Sequence, residues 1–493
     1  MPRRPRPPAR WILAALYLAS PLAARGATVG ATPGDGRPLT PPAGATVAPP
    51  AVPPGMPGAR KITLEDALAY ARAHQPAVRA ALAQVQEEKA NADVPRARYR
   101  PQVGITAQLI GGTANNTTAS YLNTPFVDLP RIGGTPVTAA DGATWKPYAS
   151  TLAAVGGAQE IFDFGRIAAE AAAADARADV AGRAAEAVSL DIELNVEEAF
   201  YAVHAAKAIH QASEDAYERA LVHRDFARAG VKSGLRSPIE LTRAEADLSR
   251  FDTGRIRARG GVASAQAVLA AAVGWPELAL DAADEAPGAA SMPALAEALR
   301  LANDKDPRLR EALAELRAQE LQTRAIGASL RPDISLSAAL SGRAGGATPS
   351  NIGAEAASGF LPNVPNWDAA LVLTWPLLDP TVTARERASR AAEEVRRSEI
   401  DGARQEIATA VARSYVDVAV SHDALPSLQH ELEAARANYA QADARFKAGL
   451  GTSVELADAE ALRIDAEIRL AIGVFDLEKA RAAFGRAIAE GLR

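Results

Sequence analysis

Leu64 to Leu109 and Leu295 to Leu340 align without a gap at a constant offset of 231 residues. Leu68, Pro76, Arg79, Leu82, Arg100 and Pro101 fall on Leu299, Pro307, Arg310, Leu313, Arg331 and Pro332. A second block, Gly234, Leu235, Glu240, Leu241, Ala244 and Glu245, falls on Gly449, Leu450, Glu455, Leu456, Ala459 and Glu460 at an offset of 215. A chain that states one pattern twice folds as two copies of one unit. The change of offset puts 16 extra residues into the first copy, between the two blocks.

The N-terminus stands apart from this repeat. Arg3, Arg4, Arg6 and Arg10 precede the apolar run Trp11 to Ala19, and small residues follow at Ala23, Ala24, Gly26 and Ala27. This is the layout of a secretory leader, so residues 1–27 are expected to be removed. The formal net charge of −5 then becomes −10, because five arginines leave with no acid, which argues against a nucleic-acid partner. No later run is apolar for about 18 residues, so no transmembrane helix is expected. Outer-membrane strands are short and alternate in polarity, and they escape that test.

The chain has no cysteine, which excludes disulfides, thiolate metal sites and an N-terminal lipidated cysteine. Its six histidines (74, 204, 210, 223, 422 and 430) form no i, i+4 pair. They read as helix-surface residues, not metal ligands. There is no phosphate-cradling glycine loop with its lysine, no nucleophile elbow and no His-Glu metal helix, so no catalytic residue, cofactor or metal is expected.

Along each copy the periodicity changes in the same order. Residues 28–60 are rich in proline and glycine and read as a tether. Lys61 opens a short helix with Leu64, Ala67, Leu68 and Ala71 on one face, and Pro76 suits the first position of a second helix. Pro307 repeats that break. After Arg100-Pro101 and Arg331-Pro332 the period becomes two: Val103, Ile105, Ala107 and Leu109 in the first copy, Ile334, Leu336, Ala338 and Leu340 in the second, alternate with small polar residues. A loop follows each strand, from about Gly111 to Lys146 and from about Gly342 to Asn366, the first being longer.

The clearest returning strand is Trp367 to Trp375, with Trp367, Ala369, Leu371, Leu373 and Trp375 on one face. At about 3.3 Å per residue its two tryptophans lie about 26 Å apart, near the height of an outer-membrane apolar band with an aromatic at each interface. Two long helical runs follow, from Arg166 to about Ala229 and from about Val382 to Lys447, the latter expected to kink at Pro426. Both end in a glycine, Gly234 or Gly449, and restart with Ser237 and Glu240 or Thr452 and Glu455 in capping-box spacing. The repeats are thus expected over 61–273 and 294–493, with 274–293 as the connector.

Four strands cannot span a bilayer alone, because open edges leave backbone groups unpaired. The barrel is therefore expected to be shared among subunits, and three chains would supply twelve strands. This two-copy layout, the segment Gln159-Glu-Ile-Phe-Asp-Phe-Gly165 and the paired tips resemble the TolC-like outer-membrane efflux and export factors. The resemblance runs from about residue 61 to the C-terminus. It departs at Leu378-Asp379-Pro380-Thr381, where the family usually has a glycine-containing turn.

The resemblance implies a mainly α chain with a small transmembrane β part. It implies a homotrimer joining a twelve-stranded β-barrel in the outer membrane of a Gram-negative bacterium to a long α-helical barrel in the periplasm. The partners it implies are a periplasmic adaptor, an inner-membrane pump and outer-membrane lipid. The function it implies is a passive exit duct for efflux or type I export. A soluble periplasmic coiled-coil scaffold is the alternative reading, and a secreted enzyme has only the leader in its favour.

A duct needs control of its narrow end. Glu455 and Asp458, three apart, share a helix face and in a trimer would form stacked carboxylate rings of a kind used for cation selectivity. The resemblance places Phe446 at the aromatic position of this gate. Capping and the helix dipole also account for the two acids. Arg236, which aligns with Gly451, is expected to pair with Glu455 or Asp458 of a neighbouring helix, or to face the adaptor. Val231, Gly234, Leu235, Gly449 and Leu450 give small apolar tips suited to an adaptor hairpin, or ordinary turns.

Overall fold

Alanine sets how the long helices pack. A computed structural model describes residues 60–113, 147–276, 280–284, 292–345 and 364–489. Helix α3 (Arg166–Lys232) has 67 residues and extends about 100 Å. Its buried positions are mostly alanine, and Ala171, Ala173, Ala174 and Ala176 cover more than one face of the helix. Small side chains let α3 accept neighbours on several sides. These are α2 (Pro76–Ala97), α4 (Pro238–Val273), α6 (Pro307–Ala328) and α8 (Ser453–Ala487). The counterpart helix α7 (Pro380–Lys447) packs on α6 and α8 and is helical on both sides of Pro426. At Pro426 the helix forgoes the one hydrogen bond that proline cannot donate.

Shorter helices extend the columns. Helix α1 (Leu64–His74) starts at Thr63, whose hydroxyl accepts from the Asp66 amide, and Gln75 separates it from α2. The Gln75 amide donates to the last carbonyls of α4, Ala271 and Ala272, both at 3.3 Å. Gly274 holds a left-handed φ of 75°, and a Cβ there would lie 3.1 Å from Gln75 Cα. The N-terminal end of α2 therefore abuts the C-terminal end of α4, and together they run alongside α3. Helix α5 (Leu295–Lys305) precedes α6 as α1 precedes α2.

Two cores hold these junctions. In the first, Leu68, Phe200, Leu269, Val273 and Leu280 are fully buried; in the second, Val411, Phe484 and Ile488 are. The first contains a feature the sequence did not suggest. Lys61 does not open a helix: Arg60–Ile62 is a strand, β1, pairing in parallel with Leu280–Ala282 (here β4) inside the presumed connector. Three-residue strands carry no readable period. Lys207 fixes β4 to α3 through a 2.8 Å ion pair with Asp281.

The remaining strands form one antiparallel sheet. Its members are β2 (Gln102–Thr113), β3 (Pro147–Phe162), β5 (Asp333–Gly345) and β6 (Val364–Thr374), in the order β2-β3-β5-β6. Register aligns Ile105, Val155, Leu340 and Trp367 in one row across all four strands. All four are exposed, from 45% for Val155 to 78% for Trp367. The neighbouring row on the other face is Gly104, Gly156, Ala339 and Asp368. The sheet thus carries a large uncovered apolar face and a small-residue face, and β2 and β6 remain open edges. Trp375 falls one residue beyond β6 and is exposed.

Strand-to-helix crossings are capped by aspartates in both copies. Asp163, 2% exposed, accepts from the amides of Gly165 and Ile167 and from the Tyr99 hydroxyl. Asp379 accepts from the Thr381 amide at 2.8 Å, so at the site of the departure from the family pattern the aspartate caps α7 directly. The leader, residues 28–59 and most of both long loops lie outside the described residues.

Candidate functional site

The two tips are built alike. At the first, the amides of Leu235 and Arg236 donate to the Gly230 carbonyl at 2.9 and 3.1 Å. At the second, those of Leu450 and Gly451 donate to Arg445 at the same two distances. Gly234 and Gly449 take φ of 72° and 74°, as this helix-ending turn requires. Nothing lies within 4 Å of a Cβ at either glycine, so only the backbone demands them. Gly449→Ala is expected to cost about 1 kcal/mol per chain. Gly182→Ala, in the interior of α3 with equally open space, is expected to stabilise by about 0.5 kcal/mol. Opposite shifts in the thermal dissociation midpoint would bear this out.

Beyond the turns the tips diverge. Thr452 caps α8 by accepting from the Glu455 amide at 3.2 Å, whereas Ser237 makes no side-chain cap on α4. At this first tip Arg236 holds the Glu240 carboxylate at 2.7 Å. Arg236 is only 12% exposed. Its second arm donates to the Phe446 carbonyl at 2.7 Å, and its plane lies 3.9 Å from the centre of the Phe446 ring. Gly230 gives the stem room, since a Cβ there would meet Arg236 Cδ at 2.7 Å.

Within the chain Arg236 meets Glu240 and the Phe446 carbonyl. Among the described residues Arg236 forms no ion pair with Glu455 or Asp458, because Glu240, one turn on, and the Phe446 carbonyl satisfy it. Of the sequence-derived set, Arg236 and Phe446 come together. Glu455 and Asp458 stand exposed at the start of α8, Glu455 facing Arg445 at 3.9 Å. Leu235 and Leu450 project at 84% and 75% exposure, while Val231 is half-buried.

Above the tip runs a seam between the hairpins α3–α4 and α7–α8. His223 Nε2 shares a 2.8 Å hydrogen bond with the Tyr439 hydroxyl. Arg219 forks onto Glu460 at 2.7 and 3.0 Å, with Glu460 almost fully buried. Burial opposes the Arg219 charge, and Glu460 more than offsets it, so its pKa is raised. Burial first, then the Glu460 and Asp443 charges, pushes the Tyr439 hydroxyl up to about 12. A cavity of about 40 Å³, lined by His223, Glu240, Asp247, Phe446 and Glu460 among others, lies where α3, α4, α7 and α8 meet.

Sequence reasoning missed these seam residues. Glu240 was legible, lying four residues after Arg236 on a helix. Arg219 and Glu460 are 241 positions apart, and no spacing links them.

The model of the outer membrane efflux protein family matches residues 67–275 and 298–487, most of the chain. The chain belongs to the outer membrane efflux protein family. It is similar to protein CyaE of Bordetella pertussis, 29% identical over 431 residues, covering 85% of this chain and 83% of CyaE. Among solved structures it is similar to the outer-membrane channel OprN, with TM-score 0.66, 21% identity, and coverage of 87% and 90% of the two chains. Its likeness to CusC has TM-score 0.68 at 16% identity, covering 88% and 93%. The fold is that of a TolC-like helical tunnel with a β-barrel part, and the protein is an outer-membrane exit duct.

Proposed function

We propose that three chains assemble into a passive duct that carries cargo from a periplasmic adaptor and an inner-membrane pump to the exterior. The observation that carries this reading is the four-stranded sheet, with its uncovered apolar face and two long open edges. A bilayer tolerates neither a polar face nor an open edge. Pairing β6 of one chain with β2 of the next removes every edge and turns the apolar row outward. Twelve strands leave an open lumen, onto which the small-residue face would look. CusC is described as forming a transmembrane channel, in keeping with this assembly. Energy comes from the pump, and the helices hang into the periplasm as the tube.

The tips are the narrow end in this reading. Exposed Glu455 and Asp458 form the carboxylate rings, and Leu235 and Leu450 are the knobs an adaptor hairpin packs around. Trp367 and Trp375 sit at the two membrane interfaces. Arg236 acts as a clasp between the two hairpins of one chain. Arg236→Ala leaves Glu240 and the Phe446 carbonyl unsatisfied and is expected to raise single-channel conductance in a planar bilayer. Unchanged conductance would remove Arg236 from the gate. Extraction only with detergent, followed by a heat-sensitive trimer on a gel, tests the assembly.

A further inference from the structure

The seam between the hairpins brings apolar and polar groups together. Within the second hairpin Tyr439, Phe446, Leu456 and Ala459 form an apolar cluster, and within the first Ala216, Ala220 and Phe251 do. Between the hairpins the Phe226 and Phe446 rings lie 5.7 Å apart and Ile464 packs against the first cluster, and beside them run the polar contacts of Arg236 with Phe446, His223 with Tyr439, and Arg219 with Glu460. The polar groups can be rehydrated when the seam parts, which apolar ones resist. The seam also contains a buried titratable group that no other part of the reading uses.

His223 sits on α3 with its side chain 16% exposed. From α7 it faces Tyr439, Asp443, Phe446 and Lys447, and on its own helix Arg219 lies one turn away. Across the cavity stand Glu240 and Asp247 of α4 and Glu460 of α8. Every carboxylate in this set already has a cation. Glu240 holds Arg236, Glu460 holds Arg219, Asp247 holds Arg250 and Asp443 holds Lys447. The second Asp443 oxygen lies 4.0 Å from His223 Nδ1 and makes no hydrogen bond. The seam is charge-balanced with a neutral imidazole, so a proton on His223 adds an uncompensated positive charge beside Arg219 and Lys447.

We propose that this seam is an acid-sensitive latch with His223 as its sensor, so that protonation parts α3 from α7 and widens the narrow end of the duct. The latch rests on the tips being a gate. Burial, with Lys447 and Arg219 beside it, lowers the affinity of His223 for a proton, and Asp443 opposes this without reversing it. A group whose proton affinity falls on folding stabilises the folded contact in full above its ordinary value, 6.5 for histidine. That stabilisation is lost as pH falls from there through the lower folded value. Acid therefore opens the latch, and the carboxylates of the seam keep their charge through the upper part of that window.

The test compares trimers in planar bilayers between about pH 7.5 and about pH 5.5. Wild-type conductance is expected to rise about twofold with acid, and that of His223→Gln, which stays neutral and keeps a partner for Tyr439, to stay flat. His223→Asn serves if the glutamine variant fails to assemble. Because the chain lacks cysteine, spin labels at Ser233→Cys and Ala448→Cys report the tip separation directly, and it is expected to lengthen with acid only when His223 is present. An equal rise in the variants, or a fall with acid in the wild type, would overturn the latch alone, provided Arg236→Ala still raises conductance. Silent bilayers with every protein would overturn the duct reading and the latch with it.

Discussion

Leu336→Arg is expected to abolish assembly in the outer membrane. Leu336 pairs with Leu371, halfway between Trp367 and Trp375, on a strand flanked on both sides, and is 43% exposed. An arginine on the lipid face near the bilayer midplane costs about 2–4 kcal/mol. Three chains each contribute one, so a trimeric barrel loses about 6–12 kcal/mol, comparable to the whole stability of a domain. The opposite face provides the control. Ala339, three residues along the strand, belongs to the small-residue row with Gly104, Gly156 and Asp368, and Ala339→Ser is expected to assemble normally. Membrane fractionation followed by a gel test for the heat-sensitive trimer reads both. A fully assembled Leu336→Arg protein would mean that this face does not meet lipid.

The second large effect is at the seam. Arg219→Ala leaves the Glu460 carboxylate almost fully buried without a cation, and breaking such a pair costs about 3–5 kcal/mol. The loss falls on the contact of α3 with α8, so it should appear locally. Amide exchange in α8 around Glu460 is expected to quicken by about a hundredfold or more, with the first core around Phe200 unaffected. Replacing both partners, Arg219→Met with Glu460→Leu, is expected to recover most of the protection, because no charge is then stranded. A double variant as loose as the single one would show that the ion pair itself, and not merely an unpaired charge, holds the hairpins together.

Much of the fold was legible because periodicity survives in one dimension. The strand from Trp367 showed its exposed face in the sequence, and it appears as β6 with Trp367, Leu371 and Leu373 exposed. Pro76 and Pro307 each begin a helix, where a missing amide is harmless. Strands β1 and β4 were illegible for the converse reason: three residues carry no period, and their pairing partner lies 220 positions away. At the tips the capping box at Ser237 was legible and did not form. A local motif competes with the tertiary contacts of its side chains, and there the Glu240 carboxylate pairs with Arg236.

The sequence alone determined the duplication, the alternation of the strands, the long alanine-rich helices and the glycine turns at both tips. Each follows from residues near one another in the chain, whose steric and solvation preferences act whatever surrounds them. The tertiary structure decided the rest: which strand lies beside which, that Arg236 clasps Phe446, and that His223, Arg219, Tyr439 and Glu460 meet in one seam. The clasp and seam contacts join residues more than 200 positions apart, and they exist because the α7–α8 hairpin packs against α3. Chain-neighbour chemistry writes the helices and strands, and the approach of distant helices writes the seam between the hairpins.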